Sequence, residues 1–115
     1  MNQLAESLRL KEEGNQAYKN RDYQKAMKLY SQAIKANPND PNFYSNRALC
    51  SFNLENYFDC ISDCDYAIQL NPSFIKAYKK KASALAHLLK FTEAVNVMKS
   101  AVSQDRNNQL LKNEL

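Results

Sequence analysis

Apolar residues recur along this chain three and four positions apart, the spacing at which side chains share one face of an α-helix. Short polar turns interrupt the pattern, and a proline follows the second and the fourth amphipathic stretch. The pattern therefore predicts an all-α fold built from pairs of short helices. The first helices of the pairs are predicted near residues 7–20, 41–53 and 75–88, and the second helices near 23–36, 57–70 and 91–104.

The pairs of helices are copies of one another. A shift of 34 residues aligns the sequence with itself without a gap over residues 7–40, 41–74 and 75–108. Small residues share columns where paired helices must approach closely. These columns are Gly14, Ala48 and Ala82; Ala26, Cys60 and Ala94; and Ala33, Ala67 and Ala101. Because one hairpin cannot bury its apolar face alone, the copies are expected to stack into a superhelix with a concave surface for a ligand.

The 34-residue period and its columns resemble the tetratricopeptide repeat. The resemblance covers residues 7–108 and implies three helix-turn-helix repeats stacked as a right-handed superhelix. One departure is that Leu10, Tyr44 or Tyr78 stands where the first helix of this repeat usually carries Trp. The resemblance also implies a module that binds a peptide segment of another protein and is not itself an enzyme.

The end of the chain predicts a further helix. Arrays of this family usually end in a capping helix that shields the last apolar face. Leu110, Leu111 and Leu115 follow the third repeat at helical spacing, which predicts a partial capping helix over residues 109–115. The chain is therefore expected to be part of a larger protein.

Charge narrows the choice of partner only partly. Lys and Arg number 16 against 12 Asp and Glu, so the net charge of +4 favours an acidic partner, whether nucleic acid, acidic peptide or anionic lipid. The run Lys79-Lys80-Lys81 is a weak signal for nucleic acid, since successive helical residues point about 100° apart. No nucleic-acid motif accompanies the run, so no nucleic-acid partner is predicted.

Other partners and chemistries find little support in the sequence. The charged N-terminus carries no signal-peptide pattern and no stretch is apolar enough to span a membrane, so a cytoplasmic protein with reduced thiols and no membrane partner is expected. Cys60 and Cys64 have a spacing compatible with metal ligation, but their columns hold core residues elsewhere, which favours core packing. His87 lacks a nucleophile or acid partner. No cofactor, metal or enzymatic activity is therefore predicted.

Five polar side chains on the first helices could instead bind an anion. Two pairs of them are four residues apart on one helix face, and the fifth lies on the helix between those two helices. All five can donate hydrogen bonds to an anion, and the repeat columns do not require residues of these types. The five are Lys11, Asn15, Asn46, Lys76 and Lys80. The plain alternative for any one of them is an ordinary solvated surface residue.

The five residues, in the stretches LKEEGN, YSNRA and IKAYKKKA, resemble the two-carboxylate clamp of chaperone-binding tetratricopeptide domains. That family grips the last Asp side chain and the terminal carboxylate of the seventy- and ninety-kilodalton heat-shock proteins, whose tails end in Glu-Glu-Val-Asp. The resemblance implies that these tails are the partner. The family often carries Arg at the place of Lys80, and Lys keeps the charge without the planar fork for bidentate contact.

Apolar residues on the same helices could form a pocket for the ligand residues that precede the tail. Tyr18, Leu49 and Phe52 fall at such positions, although residues of this kind also pack between helices. The sequence does not distinguish the two chaperone classes. Two rival interpretations remain open: a scaffold that binds an internal segment of a non-chaperone protein, and a docking domain of a larger enzyme.

Overall fold

The computed structural model describes the backbone of residues 2–114 and the side chains of residues 2–107. That part of the chain consists of six α-helices and contains no β-strand, which confirms the all-α prediction. The helices are α1 Gln3–Lys19, α2 Tyr23–Ala36, α3 Pro41–Asn53, α4 Tyr57–Leu70, α5 Ile75–His87 and α6 Phe91–Glu114. Among these helices none is both long and apolar enough to cross a membrane.

Side-chain caps fix where several helices begin. The Asn2 side chain accepts hydrogen bonds from the backbone N–H groups of Leu4 and Ala5, so α1 starts four residues before the predicted boundary. The Asp40 side chain accepts from the backbone N–H of Asn42 at 2.9 Å, and Pro41 occupies the first position of α3, where its missing N–H costs nothing.

The turn inside each helix pair has the same left-handed geometry. One residue in each turn has a positive φ of 62° or 63°, and the three are Arg21, Glu55 and Leu89, spaced 34 residues apart. The next residue then donates its N–H five residues back, as Asp22 does to the Ala17 carbonyl at 2.9 Å. This is a Schellman turn, which satisfies the last carbonyls of the first helix although no glycine is present.

The helices pack in the order of the chain. Each first helix lies against the second helix of its own pair, and α2 contacts α3 as α4 contacts α5. The aromatic residues at the usual Trp position link each unit to the previous one, because Tyr44 donates its hydroxyl to the Pro38 carbonyl and Tyr78 to the Pro72 carbonyl. The stacked helical repeats form the predicted solenoid.

The last helix differs from the prediction. The second helix of the third unit was expected to end near residue 104 and a separate capping helix to begin at residue 109, but α6 continues without a break to Glu114. Pro38 and Pro72 follow α2 and α4, whereas Arg106 occupies this column in the third unit and removes the stop signal. The backbone of residues 109–114 therefore prolongs α6, and Leu115 lies outside the described residues.

An ion pair joins three helices around the middle unit. Arg47 on α3 donates two hydrogen bonds to Asp63 on α4, at 2.8 Å and 2.7 Å, and a third to the Ser31 hydroxyl on α2 at 3.1 Å. Asp63 is buried and Arg47 is half-buried. The hydrogen bond with Asp63 raises the pKa of Arg47 above its usual value. Because two parallel bonds fix the guanidinium plane, this pair sets how α3 is rotated relative to its neighbours.

Asp63→Asn should lower the free energy of unfolding by about 1–3 kcal/mol, because Arg47 would lose its ionic partner while remaining half-buried. Asp65→Asn is the matched control, since Asp65 pairs with Lys81 but is half-exposed, and such pairs contribute about 0–1 kcal/mol. Urea unfolding monitored by circular dichroism measures both changes. Equal losses in the two variants would contradict the stronger role of the Arg47–Asp63 pair.

Gly14→Ala should destabilise the protein, although alanine is the better helix former by about 1 kcal/mol. A Cβ at Gly14 would lie 2.6 Å from Cε1 of the buried Tyr30 ring, and overpacking of this kind costs about 1–3 kcal/mol. The second unit pairs Ala48 with the smaller Cys64 in the same two columns. In a Tyr30→Cys background we therefore expect Gly14→Ala to be neutral or stabilising in urea unfolding, and an unchanged penalty would refute the steric explanation.

Candidate functional site

The first helices of the three units lie side by side and form one surface of the array, called the inner surface below. Asn53 on α3 donates its amide to the Tyr18 hydroxyl on α1 at 3.0 Å. Lys76 on α5 donates to the side-chain oxygen of Asn42 on α3 at 3.2 Å. These contacts show that α1, α3 and α5 are neighbours along the inner surface.

At the N-terminal end of this surface, α1 carries Lys11 and Asn15, both half-buried and four residues apart. The Asn15 side-chain oxygen accepts a hydrogen bond from the Tyr30 hydroxyl at 2.6 Å. Burial raises the pKa of Tyr30 above its usual value, so the phenol stays protonated and remains a donor. With its oxygen engaged in this way, the Asn15 amide points its N–H groups away from Tyr30 and keeps them as donors.

In the middle of the surface, α3 contributes Asn46, which is half-buried. Its neighbour in sequence, Arg47, points toward the second helices and is held by Asp63 and Ser31. Arg47 thus anchors α3, whereas Asn46 shares a helix face with Asn42, whose side chain contacts Lys76 of α5. Sequence analysis did not identify Arg47 as important, because the partner residues lie 16 positions away in each direction.

At the third unit, α5 supplies two ammonium groups that lie on the side of α3. The Nζ atom of Lys76 is 5.0 Å from the centroid of the Phe74 ring, and Lys76 is exposed. The Nζ atom of Lys80 is 4.1 Å from the centroid of the Phe52 ring, and Lys80 is half-buried. A cation over an aromatic face is attracted by the ring quadrupole, so Phe52 favours this position of Lys80.

The three residues predicted to form an apolar pocket are all half-buried on the inner surface: Tyr18, Leu49 and Phe52. Tyr18 makes an edge contact with Tyr23, with 5.3 Å between ring centroids. The Phe52 ring contacts Tyr57, His87 and the Lys80 ammonium. Packing between helices therefore accounts for part of each aromatic surface, and a pocket for ligand residues stays a prediction.

His87 is a residue of the inner surface that sequence analysis left without a role. Its ring is stacked on Tyr57 at 4.8 Å between centroids, and its Nδ1 atom lies 2.9 Å from the Ser83 carbonyl oxygen. A carbonyl can only accept, so Nδ1 carries the proton in this contact and Nε2 is left as an acceptor. The repeat columns could have revealed this position, because His87 aligns with Asn53, which contacts Tyr18 on the same surface.

The cysteines pack in the core, as was predicted for Cys60 and Cys64. Cys50, Cys60 and Cys64 are fully buried, and burial raises the pKa of Cys50 to about 12. A hydrogen bond with Cys60, together with burial, raises the pKa of Cys64. Among residues 2–107, no three His, Cys, Asp or Glu side chains come close enough to hold a metal ion.

Comparisons with known proteins agree with this architecture. The family pattern described as TPR repeat matches residues 14–53. The small glutamine-rich tetratricopeptide repeat-containing protein 2 of Mycosarcoma maydis is 37% identical over 112 residues, which is 97% of this chain and 32% of that protein. Among solved structures, the first TPR of Spaghetti (RPAP3), bound to the HSP90 peptide SRMEEVD, is 34% identical with a TM-score of 0.85, over 97% of this chain and 89% of that one.

A second solved structure, the TPR2B domain of yeast Sti1 in a pHsp70 complex, is 31% identical with a TM-score of 0.85, over 94% of this chain and 88% of that one. The chain spans about a third of the length of the fungal relative, so it corresponds to one domain of that protein. The solved domains, in contrast, are matched over nearly their whole length at more than 30% identity. This chain therefore belongs to the tetratricopeptide-repeat family.

Proposed function

We propose that this chain is a protein-interaction module that binds the acidic C-terminal tail of seventy- or ninety-kilodalton heat-shock proteins and so acts as a co-chaperone or chaperone adaptor in the cytoplasm. The observation that carries the proposal is that Lys11, Asn15, Asn46, Lys76 and Lys80 all lie on the three adjacent first helices. The proposal draws further support from the peptides bound to the similar domains of RPAP3 and Sti1.

The chemistry of the inner surface suits a tail that ends in two carboxylates. Lysine ammoniums and asparagine amides donate hydrogen bonds, and a carboxylate oxygen only accepts them. Each hydrogen bond between charged groups contributes about 1.5–3 kcal/mol, whereas micromolar affinity corresponds to about 8 kcal/mol in total. A few such contacts therefore account for most of the binding, and the affinity should fall as salt screens the charges.

Preorganisation supports the same proposal. Asn15 is fixed by Tyr30, Asn46 is adjacent to the anchored Arg47, and Lys80 lies over Phe52. A donor that is already held in place loses less side-chain entropy when the ligand arrives. The Phe52 ring thus restricts the position of the Lys80 ammonium. With the family's usual Arg, the planar guanidinium would provide this constraint.

Calorimetric titration with a Met-Glu-Glu-Val-Asp peptide tests the proposal directly. We expect micromolar binding by the free acid, and no detectable binding when the peptide is C-terminally amidated, because one of the two carboxylates is then neutral. Lys76→Ala should weaken binding at least tenfold, since about 1.4 kcal/mol corresponds to a factor of ten.

Lys90→Ala is the matched control for that experiment, because Lys90 is exposed and lies in the turn between α5 and α6, outside the three first helices. It should bind the peptide like the unaltered protein. A free-acid peptide that fails to bind the folded protein would refute the chaperone proposal. Equal binding by the amidated peptide would favour the rival scaffold that recognises internal segments.

Phe52→Leu separates two roles of the Phe52 ring. If the ring holds Lys80, the substitution should weaken binding of the free-acid peptide about two- to fivefold, as expected for a cation–π contact of about 0.5–1 kcal/mol. The loss should vanish in a Lys80→Met background. If the ring instead contacts the apolar part of the ligand, the loss should persist there and disappear for a peptide in which Met and Val are replaced by Ala.

A further inference from the structure

An aromatic cluster at the C-terminal end of α5 holds the His87 ring in one orientation. One face of the ring is stacked on Tyr57 of α4, with centroids 4.8 Å apart and planes inclined by 24°. Phe52 of α3 makes an edge contact at 5.1 Å, and Nδ1 lies 2.9 Å from the Ser83 carbonyl oxygen. Three helices therefore fix the imidazole, although His87 is an exposed residue. A ring held in this way loses little side-chain entropy when a ligand binds.

The geometry of α5 places His87 in line with two candidate clamp residues. Lys76, Lys80 and His87 follow one another at spacings of four and seven residues, which puts them on one face of the helix. Phe52 contacts both Lys80 and His87, so these two side chains lie on the side of α5 toward α3. A rise of about 1.5 Å per residue separates Lys80 and His87 by about 10 Å along the helix axis.

The order of side chains along the first helices indicates which way a bound tail would run. On α3, Asn46 precedes the predicted pocket residues Leu49 and Phe52, so tail residues upstream of the carboxylates would extend toward the helix C-termini. An extended chain advances about 3.3 Å per residue, and about 10 Å corresponds to three residues. With the last Asp of the tail at Lys80, the residue beside His87 is the one three positions earlier. The peptide SRMEEVD bound to the similar RPAP3 domain has Glu there.

Protonation changes what this ring offers to a carboxylate. Nδ1 already carries a proton in its contact with Ser83, so the proton that histidine gains between about pH 8 and pH 5 goes to Nε2. Nε2 is an acceptor before this step, which a carboxylate oxygen cannot satisfy, and a charged donor after it. None of the ion pairs among residues 2–107 involves His87. Within that part of the chain no carboxylate neutralises the imidazolium, so a ligand can supply the counter-charge.

The charged groups near the ring favour this coupling to an anion. Lys80 lies over the same Phe52 ring, so an imidazolium at His87 adds a second cation at this place. Tyr57 is the titratable neighbour on the stacked face, and Lys90 follows three positions later in the turn to α6. Neighbouring cations repel each other, and a carboxylate close to both relieves the repulsion. Protonation of the ring and binding of an acidic residue therefore reinforce each other.

From these observations we propose that His87, in its protonated form, binds the acidic residue three positions before the end of the bound tail. The inference rests on the proposed chaperone-tail function and adds to it a residue that makes the affinity depend on pH. Binding tightens as the pH falls from 7.5 to 5.5, because Nε2 then donates a hydrogen bond to the carboxylate of that residue. In the tail Glu-Glu-Val-Asp this residue is the first Glu.

Calorimetric titration with the acetylated free-acid peptide Met-Glu-Glu-Val-Asp at pH 7.5 and pH 5.5, at constant ionic strength, tests the proposal. The affinity should be about two- to fivefold higher at pH 5.5, as expected for one partly exposed ion pair. The gain should vanish for Met-Gln-Glu-Val-Asp and persist for Met-Glu-Gln-Val-Asp. The peptide carboxylates stay largely ionised in this range because they titrate at about pH 4, and His87 is the only histidine of the sequence.

Two variants of His87 complete the test, with circular dichroism at both pH values as the check on folding. His87→Gln should lose the gain in affinity at pH 5.5. His87→Lys carries a permanent cation and should bind Met-Glu-Glu-Val-Asp about two- to fivefold more tightly than the unaltered protein at pH 7.5.

Three results would overturn the proposal while leaving the proposed function intact. They are equal affinity of the unaltered protein at the two pH values, a gain that persists in His87→Gln, and a gain that Met-Gln-Glu-Val-Asp retains. Failure of the free-acid peptide to bind at either pH would instead refute the proposed function, and this inference with it.

Discussion

No unit of this protein can bury its own apolar face, and the rest of the structure follows from that constraint. The two helices of a unit bury apolar side chains against each other but leave one apolar side of the hairpin uncovered. The first helix of the following unit covers that side. The close approach needs small residues, which explains Gly14 beneath Tyr30 and Ala48 beside Cys60 and Cys64. Because α3 and α5 must each cover the unit before them, the three first helices lie side by side, and the inner surface follows from the formation of the core.

This arrangement separates stability from recognition. Small and apolar side chains of the first helices face the second helices, whereas the inner surface carries polar side chains such as those of Asn42 and Lys76. Arg47 and Asn46 illustrate the separation, since the two are adjacent in sequence but only Arg47 takes part in the ion pair with Asp63. Substitutions on the inner surface can therefore leave intact the core that positions the helices.

The sequence predicts most of the fold because the information is periodic. Columns of small and large residues recur every 34 positions, and five of the six helices end within one residue of their predicted limits. Isolated features were harder to predict. The length of α6 depends on a single missing proline, and the Arg47–Asp63 pair joins columns that hold other residues in the other units. The five candidate clamp residues were predicted from helical spacing and from the family resemblance, and contacts such as those of Tyr30 with Asn15 and Phe52 with Lys80 require coordinates.

The positions of the three cysteines make local opening of the protein measurable by thiol labelling. All three thiols lie in the middle unit, one on α3 and two on α4, and each is fully buried. A thiol reagent can reach them only when that unit opens or separates from the helices that cover it, because Cys50 packs against the first unit and Cys60 and Cys64 pack against α5. The rate of chemical labelling in the native protein would therefore report openings that expose the central repeat. Fraying of α6 would be invisible to it, so the same measurement made with ligand present would reveal whether a bound tail clamps the centre of the array.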